Sequence, residues 1–274
     1  MILSIYQSVF IHNFLSFLSV AFYQNNLVQS VIILPDKIHS MEPVQLDPKS
    51  STEGLQKSSK NPLIINDVNN SDTGTEIEVM DKQCYLIRKA MDIKKQMTLF
   101  EDIQSKDKSP KDAPRALYPS PKTLLLGENE PSLKYEFGQK SVFNEMIDNA
   151  NDLLVNRNLL TNDLYKYKSI TVAAIEYPSP NGKFPAHIDH SNSFVYLLSV
   201  GCTANFMVQG PNMECKKIFK FNSGDLLVFN ASTDAAILHA VINIDDETSC
   251  PVELGNTFPV LQKHRYGVQC RVHF

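Results

Sequence analysis

Residues 184–200 read Phe-Pro-Ala-His-Ile-Asp-His-Ser-Asn-Ser-Phe-Val-Tyr-Leu-Leu-Ser-Val, two short apolar runs separated by a polar Ser-Asn-Ser turn. Runs of this length and composition, bounded by small polar residues, are typical of β-strands. In the first run His187 and Asp189 are two residues apart, so in a strand both side chains project from the same face. The stretch therefore predicts a strand that presents an imidazole and a carboxylate side by side.

Runs of the same kind continue on both sides of this stretch, separated by Gly, Pro, Asn and Ser. Before them, apolar residues recur at helical spacing within Gln83–Gln104 and Ser141–Leu160, which predicts two helices. Eight short strands in succession are typical of a jelly roll, so we expect a mostly β fold with flanking helices and a double-stranded β-helix (jelly roll) core. The predicted strands are Ser169–Ile175, Phe184–Asp189, Phe194–Val200, Ala204–Val208, Lys217–Phe221, Asp225–Phe229, Ile237–Ile244 and Tyr266–Phe274.

The N-terminal segment, residues 1–40, is apolar, with no charged side chain before Asp36. Asn and Gln interrupt it, and it lacks both the basic start of a secretory signal and the roughly 20 apolar residues of a membrane span. We therefore expect no membrane association; a signal or membrane segment, and a translation start at Met41, are the alternatives. Beyond it we predict a disordered linker at 41–82, a helix plus a loop at 83–117 and the main folded domain at 118–274.

The composition, with 43% hydrophobic and 20% charged residues, is that of a globular protein. A formal net charge of -4 gives no support for the broad basic surface that drives non-specific nucleic-acid binding. The five cysteines are odd in number and widely spaced, without a Cys-x-x-Cys pair. We expect them to be reduced thiols, which predicts a cytoplasmic or nuclear location.

A third metal ligand is expected at His239, in an apolar segment where a histidine is otherwise unexpected. With His187 and Asp189 it would form a set of two imidazoles and one carboxylate, which leaves one face of an octahedral ion open and suits non-haem Fe(II). Zinc is more often held in a closed four-coordinate site. A lone His-x-Asp occurs by chance, and the alternative is a pair of ordinary surface residues.

Two arginines close the chain, Arg265 and Arg271, at an even spacing that places both on one face of the last predicted strand. A buried guanidinium requires an anionic partner, and its planar fork matches a carboxylate bidentately. The distal carboxylate of 2-oxoglutarate fits this requirement. The alternative is that both are edge-strand charges that prevent aggregation.

The order of these motifs, His-x-Asp, then Gly-Asp before His, then Arg-x5-Arg, resembles the AlkB-like family of Fe(II)/2-oxoglutarate-dependent dioxygenases over residues 118–274. The resemblance implies that Fe(II), 2-oxoglutarate and dioxygen are used, with ascorbate as a possible reductant. It also implies that His187, Asp189 and His239 bind the metal, and that Arg265, Tyr177 and Arg271 bind the co-substrate.

This chain departs from the family pattern at three positions. The family commonly has Asn where this chain has Ile175 and Gly267, so two donors to the co-substrate are missing. Many members also have a base-reading Asp where this chain has Ser191, and the protein has no tryptophan for base stacking.

The resemblance implies oxidative demethylation of N-alkylated bases, with DNA or RNA as the partner and with no obligate protein partner inferred. We expect the substrate to contact Tyr135, Phe137, Ser191 and Arg271, and a flipped base to pack on aromatic side chains, including Tyr118. The alternatives are the same chemistry on a protein, lipid or metabolite, and a non-catalytic β-sandwich binding module. The sequence leaves the oligomeric state open.

Overall fold

The computed structural model describes residues 64–65, 75–109, 121–128, 130–161, 163 and 166–274, all within one compact unit, Pro62–Phe274. The predicted segment 1–40, most of the predicted linker, the end of the predicted loop and Tyr118 lie outside these residues. The helices are α1 Ile93–Lys106, α2 Val142–Asn156 and α3 Val252–Thr257. The strands are β1 Ile64–Ile65, β2 Ile77–Asp81, β3 Cys84–Ile87, β4 Lys122–Thr123, β5 Ser132–Glu136, β6 Ser169–Pro178, β7 Phe184–Ile188, β8 Phe194–Gly201, β9 Ala204–Gln209, β10 Lys217–Phe221, β11 Leu226–Asn230, β12 Leu238–Ile244 and β13 His264–His273.

In the described part of the chain these strands form two antiparallel sheets. The larger sheet has the order β1-β2-β3-β11-β8-β13-β6-β4, with β5 also paired to β6, and the smaller sheet has the order β10-β9-β12-β7. Along the chain, β6, β8, β11 and β13 lie in the larger sheet, and β7, β9, β10 and β12 in the smaller one. The chain therefore winds between two facing sheets, and the predicted double-stranded β-helix is confirmed.

Helices α1 and α2 cover the outer face of the larger sheet. Their buried residues include Phe100 and Phe143, and the Phe100 ring packs edge-on against Tyr266 of β13 at 4.9 Å between centroids. Side chains alternate along a strand, so Tyr266 faces the helices while Arg265 and Arg271 face the smaller sheet. The space between the sheets is therefore lined by the odd-numbered residues of β13.

The helix starts are fixed by side-chain caps. The Asp92 carboxylate accepts a hydrogen bond from the Lys95 amide before α1, and the Ser141 hydroxyl accepts one from the Asn144 amide before α2. Each cap satisfies an amide that has no partner within the helix. None of the helices in the described residues has the length and apolarity required to cross a membrane.

Two boundaries differ from the sequence prediction. The predicted linker reaches Lys82, but Ile77–Asp81 is strand β2, and the segment predicted to begin a helix at Gln83 contains strand β3 instead. All four β3 residues, Cys84–Ile87, are buried, and a short apolar run of this kind does not distinguish a strand from a helix by periodicity. The strands after residue 168 agree more closely; the largest difference is β6, which continues to Pro178.

Candidate metal and co-substrate site

Two neighbouring strands of the smaller sheet bring the two candidate imidazoles together. In the antiparallel pair of β7 and β12, His187 lies directly opposite His239, and their ring centroids are 4.3 Å apart. Residues opposite each other in such a pair project from the same face. The His239 ring also contacts Phe229 of the larger sheet, 4.9 Å between centroids, so both imidazoles lie between the two sheets.

The candidate carboxylate follows β7 directly. Asp189 lies just beyond the strand end at Ile188, and its Oδ1 is 3.7 Å from His187 Nε2. Ligand atoms of His187, Asp189 and His239 all lie within 4.8 Å of one another. Two imidazole nitrogens and one carboxylate oxygen in this arrangement could share a single metal ion.

Backbone carbonyls set the tautomers of both imidazoles. Nδ1 of His187 lies 2.9 Å from the Pro185 carbonyl oxygen, and Nδ1 of His239 lies 3.1 Å from that of Ile237. A carbonyl oxygen can only accept, so each Nδ1 carries a proton and Nε2 is the nitrogen through which each ring could bind a metal. Burial, and secondly the proximity of His187, lower the pKa of His239 to about 4. Its imidazole is therefore neutral near pH 7, as a metal ligand must be.

Arg271 holds the candidate carboxylate in place. Its Nη2 donates to Asp189 Oδ2 at 2.7 Å, and its Nη1 donates to the Ser191 hydroxyl at 2.8 Å. The Ser191 hydroxyl is itself 2.6 Å from that of Ser193. Asp189 Oδ2 is thereby engaged by the protein, which leaves Oδ1 on the side of His187. Arg271, predicted to bind the co-substrate and the substrate, and Ser191, predicted to bind the substrate, thus lie at this site and bond to protein groups there.

Arg265 is a buried cation with an unused donor. The residue is 1% exposed, and its Nε donates to the Ser199 hydroxyl at 3.1 Å. Its guanidinium carbon lies 5.2 Å from the Tyr177 ring centre and 5.3 Å from that of Phe221. Its Nη2 has no hydrogen-bond partner. No carboxylate in the described residues pairs with it, so the site fits an anion supplied by a ligand.

Tyr177 lies directly opposite Arg265 in the pair of β13 and β6. Burial raises the pKa of Tyr177 to about 12, so its hydroxyl is protonated and can donate. Burial also lowers the pKa of Arg265 to about 10, which still leaves the guanidinium charged near pH 7. A cation and a hydroxyl donor therefore face the same buried space, a donor set that fits a carboxylate such as the distal one of 2-oxoglutarate.

The structure does not bring Tyr135 and Phe137 to this site, which corrects the prediction that they contact substrate. Tyr135 lies opposite Ile170, on the face of β6 that packs against the helices, and its hydroxyl accepts a hydrogen bond from Lys106 Nζ at 2.7 Å. Phe137 packs edge-on against Tyr167, 5.1 Å between centroids. The side chains that β5 does present to the site face include Lys134.

Ser199 was not predicted from the sequence, nor was the polar row that Arg271, Thr171 and Lys134 form on adjacent strands. Ser199 is a buried hydroxyl in the otherwise apolar strand β8. It is two residues from Leu197 and therefore projects from the same face of the strand, toward the space between the sheets. In the row, Arg271 lies opposite Thr171 and Thr171 lies opposite Lys134. The row could not be predicted from the sequence, because it depends on the register in which β5 pairs with β6, and these strands are far apart in the chain.

No protein-family model and no curated protein matches this chain. Among solved structures, OsALKBH1 aligns with a TM-score of 0.47 and 18% identity, over 71% of this chain and 99% of its own. A Pseudomonas putida prolyl-4-hydroxylase aligns with a TM-score of 0.44 and 11% identity, over 72% of this chain and 95% of its own. Neither similarity identifies the substrate of this chain.

Proposed function

We propose that this chain is an AlkB-like Fe(II)- and 2-oxoglutarate-dependent dioxygenase that oxidatively demethylates N-alkylated bases in DNA or RNA. One observation carries the proposal. The ligand atoms of His187, Asp189 and His239 converge in the same space between the sheets into which the buried Arg265 directs a donor without a partner. A metal site and an anion site side by side are what a chelating 2-oxo dicarboxylate requires.

The three ligands fit Fe(II) by their chemistry. Two neutral imidazoles and one carboxylate occupy one face of an octahedral ion and leave the remaining positions for a chelating co-substrate and dioxygen. Bound there, Fe(II) supplies the redox chemistry that couples decarboxylation of 2-oxoglutarate to oxidation of a second substrate. Ascorbate would serve only to keep the metal reduced.

The remaining residues orient and protect the co-substrate. Arg265 and Tyr177 would bind its distal carboxylate, and Ser199 fixes the guanidinium through Nε. Arg271 keeps Asp189 Oδ2 engaged, so that Oδ1 is the oxygen offered to the metal. Buried aromatic side chains, among them Phe229 beside His239, exclude water from the inner wall of the site.

A nucleic-acid substrate is supported by the polar row that begins at Arg271, the residue that binds Asp189. Arg271, Thr171 and Lys134 lie on adjacent strands. Lys134 is well exposed to solvent and its ammonium pairs with Glu136 at 2.9 Å, while the Thr171 hydroxyl lies 2.9 Å from His273 Nε2. Hydroxyl and ammonium groups of this kind are donors to phosphate oxygens.

All five cysteines are free thiols in the structure, which supports the proposed cytoplasmic or nuclear location.

A second candidate is the same oxidation on a protein side chain, lipid or metabolite. It is favoured by the position of Tyr135 and Phe137, which leaves the described residues without the two aromatic side chains expected to stack on a base. Ser191 has a neutral hydroxyl where many AlkB-like proteins have a carboxylate. An uncharged group of a protein, lipid or metabolite would fit beside it as well as a nucleic-acid base.

Formaldehyde release separates the two candidates. Purified protein is incubated with Fe(II), 2-oxoglutarate, ascorbate and an N-methylated oligonucleotide, with the unmethylated oligonucleotide as control. Release of formaldehyde in step with succinate, only with the methylated strand, is the expected result. Succinate formation without formaldehyde, and without stimulation by any methylated DNA or RNA strand, would move the substrate search to proteins and small molecules.

A further inference from the structure

Gly267 leaves a space in β13 that the guanidinium of Arg265 occupies. A Cβ atom added at Gly267 would lie 3.0 Å from Arg265 Nη1 and 3.5 Å from Tyr177 Cε2. The first separation is shorter than an ordinary contact between a carbon and a nitrogen atom. Gly267 is not among the residues with positive φ, so the backbone does not require glycine here. A side chain at position 267 would instead require the guanidinium of Arg265 to move by a few tenths of an ångström.

The guanidinium leans along the strand toward the metal ligands. Gly267 is two residues beyond Arg265 on the same face, in the direction of Arg271, and Arg271 binds Asp189. Because Nη1 lies over Gly267, the head group of Arg265 is displaced from its own Cα toward this end of the site. A side chain at position 267 would push it back toward Gly201, the residue opposite Arg265 on β8.

We propose that Gly267 is a positioning residue that sets the distance between the Arg265 anion anchor and the metal ligands, and thereby selects the length of the 2-oxo dicarboxylate. The inference rests on the proposed function and deepens it. The AlkB-like pattern has Asn at this place, which makes glycine look like a lost hydrogen-bond donor. The contacts at Gly267 lead to the opposite expectation, because an Asn would displace the guanidinium rather than assist it.

Ile175 provides the matched control. It lies directly opposite Gly267 in the pair of β13 and β6, so Ile175→Asn adds the same amide to the same face on the neighbouring strand. No Ile175 atom is among the three nearest to the Gly267 Cβ position. A second comparison, Ser199→Ala, removes the hydrogen bond to Arg265 Nε without adding any atom beside the guanidinium.

The test is calorimetric titration of Mn(II)-loaded protein, without turnover, using 2-oxoglutarate and the one-methylene-longer 2-oxoadipate. Gly267→Ala and Gly267→Asn are expected to weaken 2-oxoglutarate binding by about tenfold or more, the effect of losing one charge-assisted hydrogen bond. They should weaken 2-oxoadipate less, so that the ratio of the two affinities falls. Ser199→Ala should weaken both acids equally, and Ile175→Asn should leave the ratio as in wild type.

Tighter binding of 2-oxoglutarate by Gly267→Asn, or an unchanged affinity ratio in Gly267→Ala, would overturn the inference while leaving the proposed function intact. Failure of the wild-type protein to bind either acid with Mn(II) would overturn the proposed function itself and the inference with it. The unfolding midpoint of each variant without ligands shows whether it is folded, and the alanine variant, which adds a single carbon, keeps the test valid if the asparagine variant is not.

Discussion

Arg271 Nη2 and Asp189 Oδ2 are joined by a hydrogen-bonded ion pair of 2.7 Å. The pair links the last strand of the larger sheet to the end of β7 in the smaller one. It fixes the orientation of the only carboxylate in the candidate ligand set. Because the second oxygen of Asp189 then faces His187, the ion pair makes metal binding dependent on a residue that does not itself touch the metal.

Replacement of Arg271 should therefore weaken metal binding. Arg271→Ala frees the Asp189 carboxylate to rotate, and we expect the affinity for Mn(II) to fall about 10- to 100-fold, the usual effect of losing a group that orients a ligand. Titration of the metal-free protein with Mn(II) measures this. Lys134→Ala, a cation two strands away in the same row, is the control, and an equal loss in both variants would contradict the orienting role.

The buried charge of Arg265 should lower the stability of the ligand-free protein. Its charge is buried without a protein anion in the described residues, so Arg265→Met is expected to raise the free energy of unfolding of the ligand-free protein by about 1–3 kcal/mol. The same variant should lose 2-oxoglutarate binding. Chemical denaturation and ligand titration give the two readouts.

Arg88 is the matched control for this substitution. It is also largely buried, but it pairs with Glu78 and Asp225. Arg88→Met leaves Asp225 without its ion-pair partner, whereas Glu78 keeps Lys217, so it should lower the free energy of unfolding. If both methionine variants are destabilised alike, Arg265 has a protein partner and the anion site is misassigned.

The metal-free protein should lose stability in mild acid through His239. Its pKa is lowered to about 4 in the folded state by burial and by His187, against about 6.5 in an unfolded chain. The unfolded state thus binds more protons between pH 4 and 6.5. The free energy of unfolding should fall as the pH decreases through this window, by about 3 kcal/mol at most.

Denaturation curves between pH 4 and 7 measure this dependence. His239→Leu should show a flatter profile than wild type, because the buried titrating group is gone. His190→Leu, which removes an exposed histidine just after β7, should keep the wild-type slope. A wild-type slope in His239→Leu would show that the acid sensitivity arises elsewhere.

Tyr135 should matter for stability and not for substrate. Its hydroxyl accepts from Lys106 Nζ on the helix-facing side, so Tyr135→Phe is expected to lower the free energy of unfolding by about 1 kcal/mol and to leave succinate formation unchanged. Thermal unfolding and a turnover assay at saturating substrate distinguish the two. Loss of turnover without loss of stability would show that Tyr135 contributes to the reaction and would contradict its assignment to the helix-facing side.

The sequence was sufficient for the jelly-roll class, for the strands after residue 168 and for the types of the candidate ligands. His187 and Asp189 share a face because of their even spacing, and short apolar runs with polar breaks located the strands after residue 168. The end of β6 and the start of β13 were predicted less accurately. Tyr177 and His264 lie in parts of these strands where the pairing extends beyond the apolar runs.

The face presented by β5 could not be read from the sequence. Tyr135 and Phe137 have the residue types expected of a base platform, but their side depends on the register in which Tyr135 pairs with Ile170. A shift of one residue would have turned both toward the metal ligands. The helix predicted over Cys84–Ile87 was wrong for a different reason. All four residues are buried, so the segment lacks the alternation of apolar and polar residues that distinguishes a strand from a helix.

The central claim is tested most directly by succinate formation from 2-oxoglutarate in wild type, His187→Ala and His190→Ala, each loaded with Fe(II). His187 belongs to the converging ligand set, whereas His190, three residues along the same segment, bonds to the Thr233 hydroxyl. The account predicts that His187→Ala abolishes Fe(II)-dependent succinate formation and that His190→Ala retains it. Equal activity in wild type and His187→Ala, or no activity in folded, iron-loaded wild type with any substrate class, would contradict it.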